Sequence, residues 1–503
     1  MSSSHPLIKG TIILTLSSFL TKIMGFFYKI FLSHAIGAKG LGIYQLVFPI
    51  YGLAMTLAVS GIQVGISRFC SSAFSSKNLR KSWGYFLSGT IFSCIISAIL
   101  TLILYHNADT ISFYIIKEAR CTILLQIVAL SLLPSTLHNC INSWYYAKKQ
   151  TEIPAISHLL EQGIRILVSW LIYQTLSEQN LEATPSLAVW GMFWGELAAC
   201  IFSILCFWIQ NHKTFFFSAP MYKSCTRELY GLSFPLTLNR LLFASLQSIE
   251  SILIPQQLLL FGLSSTEALE MYGILTGMTI PFLMFPSSLT TSASTILMPM
   301  VAGEQAKGNA SKIQSTIEQT LKYCLILGIF AMVVFFLYGN DLGRAVFNNV
   351  QAGTYLQTLA FLCPFFYLTG TLSSILTGLG KTGLCLLQNV IGLVIRIGFV
   401  IFMVPKCGMV GYLWGLLVSQ FVVTLLSVYF IYRQITFEFS FLTGFVFPTA
   451  AAIISASISF VLYQQIISLH LFPAILVILG ALGICGIGYL LLLFFMGLLI
   501  FSA

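Results

Sequence analysis

Eight ionisable side chains stand inside stretches of this sequence that are otherwise apolar enough to be membrane helices. Five are basic (Lys22, Lys29, Arg165, Arg240 and Arg396) and three are acidic (Glu161, Glu196 and Glu250). A charge at mid-bilayer costs about 2.5–3.5 kcal/mol even on the gentler insertion scales, so such groups face a partner or a wet cavity, not lipid. A cavity with an excess of ammonium and guanidinium groups prefers an anion, and Lys and Arg are the usual partners of phosphate. The chemistry on offer is binding, not catalysis. There is no DxD cluster, and the loop acids Asp109, Glu118, Glu178 and Glu182 are scattered, so no enzyme is expected.

Spacing arranges these groups in stripes. Ser18, Lys22, Gly25 and Lys29 share one helical face of the first segment. Lys22 is too central to reach a headgroup layer comfortably, whereas Lys29 has the alternative of snorkelling. His158, Glu161, Gln162 and Arg165 fall at i, i+3, i+4 and i+7 on the fifth segment. Glu161 and Arg165 have the alternative of neutralising each other as an i, i+4 pair. Asn389 and Arg396 form the matching stripe on the eleventh segment, which offers no acid of its own, and this favours an anionic ligand. On the seventh, Asn239, Arg240, Gln247 and Glu250 lie within a moderately narrow arc. Glu250 is a candidate for a coupling cation or proton, with a salt bridge as the alternative. Glu196 and His138 are expected to hydrogen-bond or pair between helices and are given no part in the site. The twelve cysteines lack CxxC pairs or histidine partners at ligand spacing, so neither a metal site nor disulfides are expected.

The elements that must position these residues follow from composition. The chain has 503 residues, 57% hydrophobic and 8% charged, against about 25% charged in soluble domains. This is a polytopic all-α membrane protein, and the first segment is too long and too basic for a signal peptide. Apolar runs place fourteen spans near 11–35, 41–66, 84–104, 121–145, 153–176, 187–209, 230–261, 269–298, 321–339, 353–378, 384–404, 409–432, 442–463 and 473–500. The gaps 209–229 and 299–320 read as amphipathic connectors at most. With that count, fifteen loop Lys and Arg fall on one side, Lys213 among them, and five on the other, which predicts cytoplasmic termini in a bacterial inner membrane. This asymmetry accounts for most of the +10 net charge, so nucleic acid is not an expected partner.

A weak repeat recurs after roughly 230 residues: Pro134 answers Pro364, Lys149 answers Lys381, Arg165 answers Arg396, and Trp194-Gly195 answers Trp414-Gly415. Order and direction are kept, as in two like lobes facing a cavity. The expected division is an N-terminal lobe at 1–215, a C-terminal lobe at 216–435 and a helix pair at 436–503. From residue 439 onward there is no Asp, Glu, Lys or Arg, so that pair offers an oily groove or plain packing and no ion site.

The stretch KGTIILTLSSFLTKIMGFFYKIFLSHAIGAKGLGIYQLVFPIYGLAMTLAVSGIQVGISR (9–68) resembles the stage V sporulation protein B group of polysaccharide exporters. LEQGIRILVSW (160–170), YGILTGMTIPFLMFPSSLTTSASTILMP (272–299) and the GLGKT loop (378–382) extend the likeness. That group belongs to the multidrug/oligosaccharidyl-lipid/polysaccharide flippase (MOP) superfamily, with MurJ-type lipid II flippases and MATE drug antiporters as relatives. The resemblance implies fourteen helices in two six-helix lobes around a central cavity, plus two C-terminal helices forming a groove for a polyprenyl tail. It places the family's basic residues on Lys22, Lys29, Arg165 and Arg396, with lysine where MurJ-type proteins favour arginine in the first helix. The expected function is transfer of a polyprenyl-diphosphate-linked saccharide from the cytoplasmic to the outer leaflet by alternating access. The alternative is a cation-coupled drug exporter, which should carry carboxylates where Lys22 stands. No cofactor is expected beyond a coupling ion, Na+ or H+, and the lipid-linked substrate and membrane lipids are the expected partners of a monomer.

Overall fold

The computed structural model describes residues 5–211, 219–469 and 473–498; Lys213 and the end of the fourteenth expected span lie outside them. Every regular element among the described residues is helical. Eleven helices are long and apolar enough to cross a membrane, or twelve if the broken pair Ser265–Met284 and Ser287–Ala306 counts as one span. The protein is a multi-pass membrane protein. The count falls short of fourteen for two physical reasons. The run Ile13–Ser75 passes as a single stretch of 63 residues. At 1.5 Å per residue it would be about 95 Å long, three times the hydrocarbon thickness, so it cannot be one straight crossing. It breaks at Gly37, whose φ of 66° and ψ of −179° only glycine adopts readily. The helix Ala219–Leu260, carrying Arg227, Glu228, Arg240 and Glu250, is absent from the apolar set.

We number the helices by segment: α1 (5–36), α2 (38–75), α3 (Leu79–His106), α4 (Cys121–Ala147), α5 (Glu152–Glu178), α6 (Ser186–Asn211), α7 (Ala219–Leu260) and α8 (Ser265–Met284 with Ser287–Ala306). There follow α9 (Ala310–Phe347), α10 (Val350–Gly378), α11 (Thr382–Phe402), α12 (Met409–Tyr432), α13 (Leu442–Ser468) and α14 (Ala474–Phe495). The connector expected at 299–320 is instead helix to Ala306 and again from Ala310.

Contacts divide the chain into two units. One comprises Met1–Gln256 with Ser264–Gly273, so most of α7 packs with the first six helices. The other comprises Gln257–Leu263 with Ile274–Ala503. At the centre of the first unit α4 packs on α2, α3 and α6. Its Cys140, Trp144 and Tyr145 join Trp83, Phe86 and Ile66 in a buried core. In the second unit α9 holds α10, α13 and α14. Two tyrosines dock the C-terminal pair on α9: Tyr338 meets Ser459 at 2.5 Å, and the Tyr489 hydroxyl donates to the Ile326 carbonyl at 3.0 Å.

The pairing of α5 with α6 positions the charged groups, and it depends on the WGMFWG segment. A Cβ on Gly191 would lie 2.7 Å from the Arg165 carbonyl, and one on Gly195 2.7 Å from the Glu161 carbonyl. Small residues four apart let two helix backbones approach, which is how membrane helices associate without a hydrophobic driving force. Gly411 and Gly415 repeat the device in the second unit, seated on Met403 and Phe399.

Gly195→Ala is therefore expected to destabilise the protein by about 1–3 kcal/mol, because the obstructing atom is backbone and cannot rotate away. Gly163→Ala on the same pair, where the nearest atom is the tip of Met24 at 3.9 Å, should be neutral or stabilising. Thermal unfolding of the detergent-extracted protein distinguishes the two; equal midpoints would contradict the role of Gly195.

Candidate functional site

In the first unit α1 turns its Lys22–Gly25–Lys29 face towards α5. The Cβ position of Gly25 is 3.8 Å from the Gln162 amide nitrogen, and the Tyr28 and Ser169 hydroxyls meet at 2.8 Å. Lys22 is exposed and Lys29 half-buried on that face. The stripe on α5 forms as its spacing predicts. Arg165 donates to the Glu161 carboxylate, so the i, i+4 pair exists, and His158 Nδ1 lies 3.5 Å from the other Glu161 oxygen. Gln162 is buried between helices. The first unit thus brings α1's two lysines and the polar stripe of α5 onto facing surfaces.

The other candidates are placed differently. Arg240 is exposed, and its guanidinium donates to the Ser60 carbonyl at 2.8 Å. That carbonyl ends a π-helical turn at Thr56–Ser60, where the wider winding disturbs the usual backbone pairing. Asn239 and Gln247 are exposed on α7, whereas Glu250 is buried in the first unit. Asn389 and Arg396 are half-buried on α11 of the second unit, where Asn389 reaches the Cys385 sulfur at 3.7 Å. Beside them Gln388 is fully buried and accepts a hydrogen bond from Ser427 at 3.0 Å.

Two residues left out of the expected site belong to its surroundings. His138 on α4 is 1% exposed, and its Nδ1 lies 3.5 Å from the Glu196 carboxylate on α6. Its Nε2 meets Ser157 at 3.0 Å and Asn142 at 2.9 Å. Glu196 is a single acid in an apolar run and the polar neighbours of His138 lie on its own helix, so no periodicity ties either residue to α5. The glycine-mediated approach of α6 to α5 does that.

A polar cavity of about 480 Å³ opens beside this cluster, lined by Gln63, Ser67 and Arg68 of α2, Asn139 and Asn142 of α4, and His158 of α5. In the second unit α13 and α14 enclose an apolar groove of about 270 Å³, lined by Leu462, Tyr463 and Ile466 against Leu476, Val477, Gly480, Ala481 and Ile484.

Helical bundles of this kind, with polar clusters buried in charge-poor helices, are the architecture of membrane transporters. Comparison with known proteins gives the group: a family model described as polysaccharide biosynthesis protein matches residues 7–305, and the chain belongs to that family. Within the MOP superfamily it is of the stage V sporulation protein B type. A second model, MatE, matches residues 235–402. Stage V sporulation protein B of Bacillus subtilis (strain 168) is 26% identical over 426 residues, 83% of this chain and 82% of that protein. Among solved structures, lipid II flippase MurJ in an inward closed conformation aligns with a TM-score of 0.72 at 15% identity, over 97% of this chain and all of that one. An inward-facing multidrug resistance MATE transporter aligns at 0.63 and 14% identity, over 84% of this chain and 98% of its own. The fold class expected from the resemblance, an all-helical membrane bundle of the MurJ and MATE kind, is the one found.

Removing one partner of a buried ion pair leaves an uncompensated charge, at a cost of about 3–5 kcal/mol, whereas replacing both with apolar residues is often neutral. Glu161→Leu alone should lower the unfolding midpoint markedly, and adding Arg165→Leu should restore most of it. A double variant no more stable than the single one would contradict the pairing.

Proposed function

We propose that the protein moves a polyprenyl-diphosphate-linked saccharide from the cytoplasmic to the outer leaflet of the bacterial cell membrane by alternating access, with both termini cytoplasmic. The anionic headgroup is assigned to Lys22, Lys29, Arg165, Arg240 and Arg396. The sugars and any coupling ion, Na+ or H+, are assigned to the polar residues Glu161, Gln162, Asn239, Gln247, Glu250 and Asn389. The prenyl tail is assigned to the groove between α13 and α14.

The observation that carries the reading is that groove: an apolar crease in a charge-free helix pair, on a chain whose other helices hold five basic side chains within apolar runs. A lipid-linked phosphate needs both features. An exporter of organic cations needs neither, and its carboxylates would stand where Lys22 does. The relatives support it as well, since one solved neighbour is named a lipid II flippase and its likeness extends over 97% of this chain. The reading requires no bond-making chemistry. The membrane potential assists, at about 2.3 kcal/mol per charge per 100 mV. A diphosphate with about two charges gains roughly 4–5 kcal/mol on moving outward across 100 mV.

Lys22→Glu should abolish lipid transport in reconstituted vesicles while leaving insertion and unfolding temperature unchanged. Gly480→Trp, which fills the groove, should slow transport by at least tenfold. Mass spectrometry of lipids that co-purify with the wild type should find a polyprenyl diphosphate saccharide. Normal transport by Lys22→Glu, or drug resistance on overexpression without a bound polyprenyl lipid, would overturn the reading.

A further inference from the structure

One nitrogen of His138 and one oxygen each of Glu161 and Glu196 lie within 4.8 Å of one another, from three different helices of the first unit. Two carboxylates and an imidazole facing one point inside a membrane protein are costly unless something positive lies among them. The neighbouring Arg165 is bonded directly to only one of the carboxylates, Glu161. Glu196 is 8% exposed, and its Oε2 is buried with no hydrogen-bond partner, though it faces His138 Nδ1. The histidine is oriented from behind: Ser157 Oγ, whose own proton goes to the Pro154 carbonyl at 2.9 Å, lies 3.0 Å from Nε2 and can accept from it, which leaves Nδ1 turned to Glu196. A ligating histidine is usually held this way, its outer nitrogen bonded to a fixed polar group. The approach is wet: His158 and Asn142 both line the polar cavity of about 480 Å³, and His158 sits 3.5 Å from Glu161.

We propose that His138, Glu161 and Glu196 bind a divalent transition-metal ion, and that the ion competes with Arg165 for the Glu161 carboxylate. One imidazole with two carboxylates suits ions of the Zn2+, Mn2+ and Fe2+ class. All-oxygen sets suit Mg2+ and Ca2+, and thiolate sets suit softer ions. An ion about 2.1 Å from each donor brings the donors to roughly 3.5 Å apart, a movement that side-chain torsions supply. The consequence rests on the proposed function. In the empty site Arg165 is occupied by Glu161 and the cluster carries a net negative charge. With the ion bound both carboxylates are neutralised, Glu161 turns to the metal, and the released guanidinium becomes available to an anionic headgroup. The site then favours an anion only when it is loaded.

Mn2+ titration of the purified full-length protein tests this, with free Mn2+ followed by its paramagnetic resonance. Mn2+ is chosen because the twelve cysteines prefer softer ions. One equivalent should bind, and an excess of Mg2+ should not displace it. His138→Ala and Glu196→Gln should each weaken binding by at least about 100-fold, and Ser157→Ala, which keeps all three donors, by about 10–100-fold. Arg165→Gln should tighten it, because the competing cation is gone; a merely structural arginine would not act in that direction. The titration contains no lipid, so failure of the headgroup reading is separable from failure of the metal site. No saturable binding, or equal affinity in the His138 and Glu196 variants, overturns the site. Unchanged affinity in Arg165→Gln overturns the competition.

Discussion

The constraint on which the rest of the structure depends is that an ionised group within hydrocarbon must be neutralised by something nearby. The chain meets it inside its first unit by converging helices, not by spending side-chain length on snorkelling. Arg165 is answered one turn back on its own helix by Glu161. Glu196 faces His138 across helices at 3.5 Å, and the other nitrogen of that histidine meets Ser157 and Asn142. These pairs exist only because α4, α5 and α6 lie close together, and α5 and α6 lie close because Gly191 and Gly195 present no side chain between them. Backbone contact and charge compensation are therefore one feature: widening the helix spacing would strand the carboxylates.

What was legible in the sequence follows the same division. Stripes confined to one helix could be read from spacing alone, because the 3.6-residue period fixes which side chains share a face. The Glu161–Arg165 pair and the lysine face of α1 were visible in this way. Convergence between helices was not, since no local pattern records which faces meet. His138 and Glu196 read as isolated polar residues until the glycines of WGMFWG proved to be a contact surface. The count of apolar helices falls short of the expected fourteen for a related reason. Hydropathy marks where a segment can cross, but the break at Gly37 is a single backbone torsion, and the polar length of α7 is tolerated because most of it packs with the first unit. The C-terminal pair lacks charge in the sequence, and only the packing of α13 on α14 shows that it forms a crease and not a closed seam.

The two halves of the repeat solve the charge problem differently, and this asymmetry bears on how such a molecule can work. Arg165 and Arg396 correspond in the repeat, yet the residue one turn before Arg165 is Glu161, and the residue one turn before Arg396 is Gly392. No intrahelical pair of the Glu161–Arg165 kind can form on α11. Its polar neighbours Gln388 and Asn389 are neutral, and Gln388 is engaged with Ser427. A basic group with a carboxylate at hand can be held or released by whatever else that carboxylate binds. One surrounded by amides has no such competitor on its own helix. The Glu161 carboxylate thus makes the positive charge of Arg165 conditional on what else that carboxylate binds. On the proposed function, a carrier of an anionic headgroup needs at least one reversible contact, and Glu161 supplies the means of reversal beside Arg165.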